Sequence, residues 1–178
     1  MERKLKTISK ESIPEAISKA EHYRHLNEPE ESESICHDIL AVDPENQTAM
    51  RILGLAITDE FTGGTSDRYV EAEKMFQRLS DAYQREYHLG LLLERRAKAQ
   101  MRAGHPPSLL KHLFEEAIVH FERAEKLSPP NNDDAMLRWN RCVRLLDKLP
   151  AEFPRHEQSF EDDDTAPIKI SPWRATAK

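Results

Sequence analysis

The amino-acid sequence predicts an all-α protein, built as a short array of paired helices. Three observations carry this reading. Apolar residues recur at three- and four-residue spacing through most of the chain. Short clusters of Pro, Asn, Asp and Gly divide the stretches that carry them. Glycine is scarce, at 5 of 178 residues, and β-branched runs are few, which speaks against a sheet.

Each element follows from its own residues. Residues 1–12 form a polar, slightly basic leader, with Arg3, Lys4, Lys6 and Lys10 against Glu2 and Glu11. Ser12-Ile13-Pro14-Glu15 reads as a helix start, with Ser12 as cap and Glu15 closing a Ser-x-x-Glu box. Ile13, Ala16, Ile17, Ala20 and Tyr23 then recur at helical spacing until Asn27-Glu28-Pro29-Glu30 interrupts them. A second helix carries Ile35, Cys36, Ile39 and Leu40 and stops at Asp43-Pro44-Glu45-Asn46. The third spans about Gln47 to Glu60, with Met50, Leu53, Gly54 and Ile57 on one face. A loop over Phe61–Asp67 contains Gly63-Gly64, and Asp67 is placed to cap the fourth helix, which carries Val70, Met75, Phe76 and Leu79. The fifth covers roughly Glu86 to Ala103, ended by Gly104-His105-Pro106-Pro107. The sixth starts at Ser108 and runs through Phe114, Ala117, Phe121 and Ala124 to Leu127. After Ser128-Pro129-Pro130-Asn131-Asn132, the seventh runs from Asp133 to about Leu149. The array thus covers residues 13–149. Residues 150–178 turn to Pro, acidic and isolated apolar residues and read as a flexible tail.

An internal period organises the seven helices. The breaks Asp43-Pro44-Glu45-Asn46 and Ser128-Pro129-Pro130-Asn131 are alike, and each follows a similar apolar pattern. Ala20, Tyr23, Ser32 and Pro44 recur in kind as Gly54, Ala72 and Phe76, and again as Gly90, Ala117, Phe121, Ala124 and Pro129. Small residues at such positions let two helices approach closely, and an aromatic fills the space beside them. The pattern resembles the tetratricopeptide repeat, a helix–turn–helix unit of about 34 residues. That resemblance implies about three units plus a C-terminal capping helix, wound as a right-handed superhelical solenoid. The departures are a longer loop in the second unit, enlarged helices and a Pro-Pro turn in the third, and no Trp in the early aromatic slot of any unit. Arg138, Arg141, Arg144 and Lys148 on the last helix fit a solvated cap.

Composition narrows the function classes. Hydrophobic residues make up 38% and charged residues 33%, which a thin array of amphipathic helices tolerates. The net charge of −6 lacks the basic footprint of nucleic-acid binding. No segment has the ~20 apolar residues that span a membrane. No signal-peptide pattern opens the chain, and Cys36 and Cys142 read as buried, reduced thiols, so a cytoplasmic setting is expected.

The resemblance implies a concave groove lined by the first helix of each unit, which holds a peptide or protein partner. Helix phase assigns to that groove Ile17, Glu21, Arg24 and His25; Arg51, Leu55 and Thr58; Tyr87, Leu91, Glu94 and Arg95; and Met136, Asn140 and Arg144 from the cap. Arginines suit forked pairing with carboxylates. Some members of the family grip the C-terminal carboxylate of heat-shock chaperones with Lys and Asn. Ile17, Glu21 and Ile52 stand where those residues would be needed, so that specialised role is not expected.

Chemistry is not expected. His22 with His25, Cys36 with His37-Asp38, and Glu116 with His120 offer pairs of metal ligands, but a site needs three or four converging from separate elements. Phosphate-loop and nucleophile-elbow motifs are missing, so neither cofactor nor metal nor catalytic residue is assigned. In the tail, Glu161-Asp162-Asp163-Asp164 precedes an alternating stretch with Ile168, Ile170 and Trp173, a candidate docking motif. The expected role is a non-enzymatic adaptor, scaffold or co-chaperone-like module with a protein or peptide partner. The alternative is a structural subunit, or homo-oligomer, that associates through its repeat ends.

Overall fold

The computed structural model describes residues 3–150. Seven α-helices follow in order: α1 (Ile13–His25), α2 (Pro29–Val42), α3 (Gln47–Asp59), α4 (Tyr69–Gln77), α5 (Ala82–Arg102), α6 (Pro107–Leu127) and α7 (Asp134–Leu146). Among the described residues there is no strand, and no helix is long and apolar enough to cross a membrane. Ile168, Ile170 and Trp173 lie outside the described residues.

Local chemistry fixes most boundaries. Both α1 and α5 end by the same device. Asn27 takes φ 62 while Glu28 N–H donates to the Tyr23 carbonyl at 3.0 Å. Gly104 takes φ 80 while His105 N–H donates to the Gln100 carbonyl at 3.0 Å. In each case a left-handed residue satisfies the orphan carbonyls of the last turn. The Asn46 side chain accepts from Ala49 N–H at 2.9 Å and so starts α3.

Other boundaries correct the sequence reading. Ser12 does not cap α1: its hydroxyl donates to the Ser9 carbonyl at 2.9 Å, within a 3-10 turn (Lys10–Ser12) that leads into the helix. Asp67 does not cap α4. Its carboxylate accepts from Thr62 N–H at 2.9 Å and Gly63 N–H at 2.8 Å, and so organises the loop instead. That loop is pinned to the end of α5. Gly63 sits so close to the Ala99 carbonyl that a Cβ would lie 2.6 Å from its oxygen, and His105 Nε2 bonds the Gly63 carbonyl at 2.9 Å. Helix α5 starts a turn earlier than expected because Asp81 caps it, accepting from Gln84 N–H at 2.7 Å. Helix α7 stops at Leu146, short of Leu149.

Packing has a regular plan. Each helix packs on the next, and the odd-numbered helices also touch in series: α1 on α3, α3 on α5, and α5 on α7. One apolar core runs through the array, from Ala20 on α1 to Leu145 on α7. Two close approaches repeat within it. The Phe76 ring of α4 lies over Gly54 of α3, and the Phe121 ring of α6 lies over Gly90 of α5. Both rings are fully buried, and each contributes roughly 1.5–3 kcal/mol through the apolar surface it removes from water.

Several side-chain bonds between helices of the first half of the array join residues 33–36 apart, while Arg51–Glu21 spans 30 and Asn132–Tyr83 spans 49. Arg24 pairs with Asp59 and Arg68 with Glu33, each across 35 residues. Arg78 reaches Glu45, and Gln47 reaches Ser80, each across 33 residues. Arg95 returns to Asp59 across 36. In this part of the chain, residues about one helix pair apart in sequence stand side by side.

Candidate functional site

The odd helices share a network of ion pairs, and most of the expected groove arginines enter it. Arg24 of α1 donates through Nε to Asp59 Oδ2 at 2.6 Å. Arg95 of α5 pairs with the other oxygen of the same carboxylate. One Nη of Arg95 also donates to Thr58 Oγ1 at 2.7 Å and to the Leu55 carbonyl at 3.2 Å. Asp59 at the end of α3 thus holds two guanidinium groups, one from each flanking odd helix. Arg51 of α3 reaches back to Glu21 of α1 at 3.0 Å. Glu94 of α5, fully buried, pairs with Lys98 one turn on and with Arg138 of α7 at 3.5 Å.

The network holds five cations against three carboxylates, so it carries excess positive charge in a chain of net charge −6. Its electrostatics show in the groups it encloses. Burial pushes the His88 imidazole down to about 4, and Arg51, Arg95 and Arg24 push the same way. The ring is therefore neutral at physiological pH, with Nδ1 2.7 Å from the Gln84 carbonyl. Burial also lowers Arg95, opposed by Asp59 and assisted by Arg24. Burial lowers Arg138 as well, but the Glu94 carboxylate and the Tyr87 hydroxyl outweigh it and leave it raised.

The remaining expected positions divide. Ile17 and Tyr87 are half-buried against the core, and His25 is exposed. Leu55 and Leu91 are corrected from groove to core, at 6% and 4% exposure, because α3 and α5 are covered on more than one side. Thr58 and Glu94 are likewise buried and act as internal acceptors, presenting no surface to an occupant. On α7 the phase is corrected too. Ala135, Cys142 and Leu145 are buried, and Arg138 shares their face. Met136, Asn140 and Arg144, spaced by four, fall on the opposite side of the helix. Sequence reasoning missed Asp59 and Arg138. Arg138 stands three residues after Ala135 and four before Cys142, and that spacing places it on the apolar stripe instead of a solvated cap.

One open cleft borders the network at Arg51 and a second lies apart from it. The first, about 370 Å³, is lined by Thr48 and Arg51 of α3 and by Asp81 and Gln84 at the start of α5. The second, wider at about 690 Å³, lies between the start of α6 and the end of α7, lined by Pro107, Lys111, His112, Leu146 and Leu149. It touches none of the expected groove residues.

Burial pushes the thiols of Cys36 and Cys142 each up to about 12, so neither is a thiolate at neutral pH. Glu33, His37 and Glu71 bring ligand atoms within 4.8 Å of one another. Arg68 pairs with one oxygen of each carboxylate, Glu33 Oε2 at 2.7 Å and Glu71 Oε2 at 2.9 Å. Glu116 and His120, four apart on α6, take different partners: His120 bonds Glu86 at 2.8 Å, while Glu116 faces His112 at 3.4 Å. Comparison with protein-family models, with curated proteins and with solved structures returned no match.

Proposed function

We propose that this protein is a non-catalytic adaptor of the tetratricopeptide type that binds an acidic segment of a partner protein along its odd-numbered helices. The carrying observation is the ladder Arg24, Arg51, Arg95 and Arg138, one guanidinium from each odd helix, in a network with fewer carboxylates than cations. The solenoid reading rests on the two Gly–Phe approaches and on the side-chain bonds at 33–36 residue spacing. In a right-handed array of this kind the first helices line the concave side, where an extended segment meets several guanidinium forks at once. Each fork can exchange its internal carboxylate for one on the ligand, so specificity is for acidic sequence and the affinity depends on salt.

Fluorescence anisotropy with a labelled acidic decapeptide and its basic counterpart tests this reading on the full chain. The acidic peptide is expected to bind, more weakly as salt rises, and to lose affinity on Arg51→Gln. Equal binding of both peptides, or of neither, removes the proposal. A second reading, self-association through the array end, draws on Met136 and Leu137, which are 42% and 62% exposed on the outer side of α7. A monomer in light scattering at high concentration would set it aside.

A further inference from the structure

The chain carries its own candidate ligand. Residues 157–164 read Glu-Gln-Ser-Phe-Glu-Asp-Asp-Asp, with carboxylates at Glu157, Glu161, Asp162, Asp163 and Asp164. Nothing else in the sequence concentrates negative charge so densely. This run follows the end of α7 by a short tether. Residues 151–160, fully extended, span about 35 Å, at 3.3–3.6 Å per residue. Arg138 lies near the start of α7, and a helix rises 1.5 Å per residue, so Arg138 is only about 18 Å from Pro150. Arg95 is one packed helix further, another 8–10 Å. The acidic run therefore reaches the arginine ladder without strain.

We propose that the acidic run Glu161–Asp164 occupies the Arg95–Arg138 end of the odd-helix face in cis, so that the adaptor is self-masked and an acidic partner must displace its own tail. This rests on the reading of that face as a binder of acidic segments. Charge complementarity and reach both favour this occupant. The network has two more cations than carboxylates, and the tail supplies the missing anions on the same chain. A tethered segment acts at an effective concentration on the order of millimolar. A free peptide with intrinsic affinity of ~100 µM is then weakened about tenfold by the tail's competition.

The experiment uses the full chain with Glu161→Gln, Asp162→Asn, Asp163→Asn and Asp164→Asn combined. These substitutions lie outside all seven helices of the described residues. The probe is a labelled peptide of residues 157–166, titrated into wild type and variant. About tenfold tighter binding to the variant, reduced again by adding Arg138→Gln or, on α3, Arg51→Gln, is the expected result. Equal binding to both proteins overturns self-masking and leaves the acidic-segment reading standing. Binding to neither overturns both. Light scattering separates the remaining source: a wild-type dimer that the neutralised tail dissociates means the run reaches a second copy, and overturns occupancy in cis.

Discussion

Gly54→Ala sets two physical effects of opposite sign against each other. Gly54 lies inside α3, where alanine is favoured over glycine by about 0.8–1.0 kcal/mol from helix propensity alone. A Cβ there would stand 2.5 Å from Phe76 Cε1 and 2.7 Å from Cζ. Carbon atoms in good contact sit at about 3.5–4.0 Å, so the ring must move by roughly an ångström. It has little room. Phe76 is fully buried and also lies against His88, with ring centroids 5.2 Å apart. Overpacking of this kind costs about 1–3 kcal/mol, so after the propensity gain the net destabilisation is expected to reach about 2 kcal/mol at most. Urea unfolding followed by circular dichroism reads the difference, provided the slope with denaturant is unchanged. Combining Gly54→Ala with Phe76→Leu should cost less than the sum of the two single changes, since the smaller side chain vacates the space. Gly90→Ala should behave alike beneath Phe121, where the closest approach is 2.8 Å. If Gly54→Ala stabilises the protein, or adds independently to Phe76→Leu, the close approach does not exist and the main support for stacked units goes with it.

Acidification provides a second test. His88 titrates near 4 in the fold against about 6.5 when unfolded, so the unfolded chain takes up the proton first and stability falls as pH drops from 6.5 toward 4. The loss amounts to as much as roughly 3 kcal/mol, and His88→Phe should flatten that part of the pH–stability curve; an unchanged slope would assign it to other groups. Cys36 and Cys142 should ignore a thiol reagent in the native state and both react in urea; a native thiol that reacts at once contradicts their burial. Arg138→Ala, which strips a partner from buried Glu94, should lower stability by about 1–2 kcal/mol, while exposed Arg141→Ala stays within about 0.5 kcal/mol; equal thermal shifts would return Arg138 to the solvated cap. Asp59→Asn should weaken the fold by about 1–2 kcal/mol yet raise affinity for an acidic peptide severalfold, because it releases Arg24 and Arg95 together; a drop in affinity would mean that Asp59 itself meets the ligand.

The fold was legible in the sequence wherever the signal was local. Pro29, Asn46, Gly104 and Pro107 mark helix ends through their own backbone preferences, and these ends fall within a residue or two of where the sequence places them, with Pro29 and Pro107 opening α2 and α6 instead of lying in the breaks. Asp81 was overlooked as a cap because the residues after it, Ala82 to Arg85, show no apolar stripe of their own. The site was legible only by half. Helix phase finds Arg24, Arg51 and Arg95, since phase belongs to a single helix. Whether Leu55, Leu91, Thr58 or Glu94 faces solvent depends on how much of a neighbouring helix covers it, and a single helix does not encode that. Asp59 owes its role to partners 35 and 36 residues away. Opposite charges at that spacing were a signal available in the sequence, and the sequence alone gives no reason to prefer them over other spacings until the repeat length is known.

The charges also separate by layer, which bears on how a ligand would arrive. Helix α2 carries Glu30, Glu31, Glu33 and Asp38 with no Lys or Arg, while α5 carries five cations against Glu86 and Glu94. Helix α7 adds Arg138, Arg141 and Arg144 against Asp134. Since α1, α3, α5 and α7 touch in series, the positive charge gathers along one layer while α2 contributes negative charge to the other. Local stability does not demand this, because exposed ion pairs within a helix contribute only a few tenths of a kcal/mol. Separation across the array instead produces a field that draws anionic chains toward the odd helices and turns them from α2. Such a field acts mainly on the association rate, and salt suppresses it. Under the adaptor reading proposed above, such a field would select acidic partners at encounter. Under the self-masking proposal, the chain's own acidic run would be the first competitor that any such partner meets.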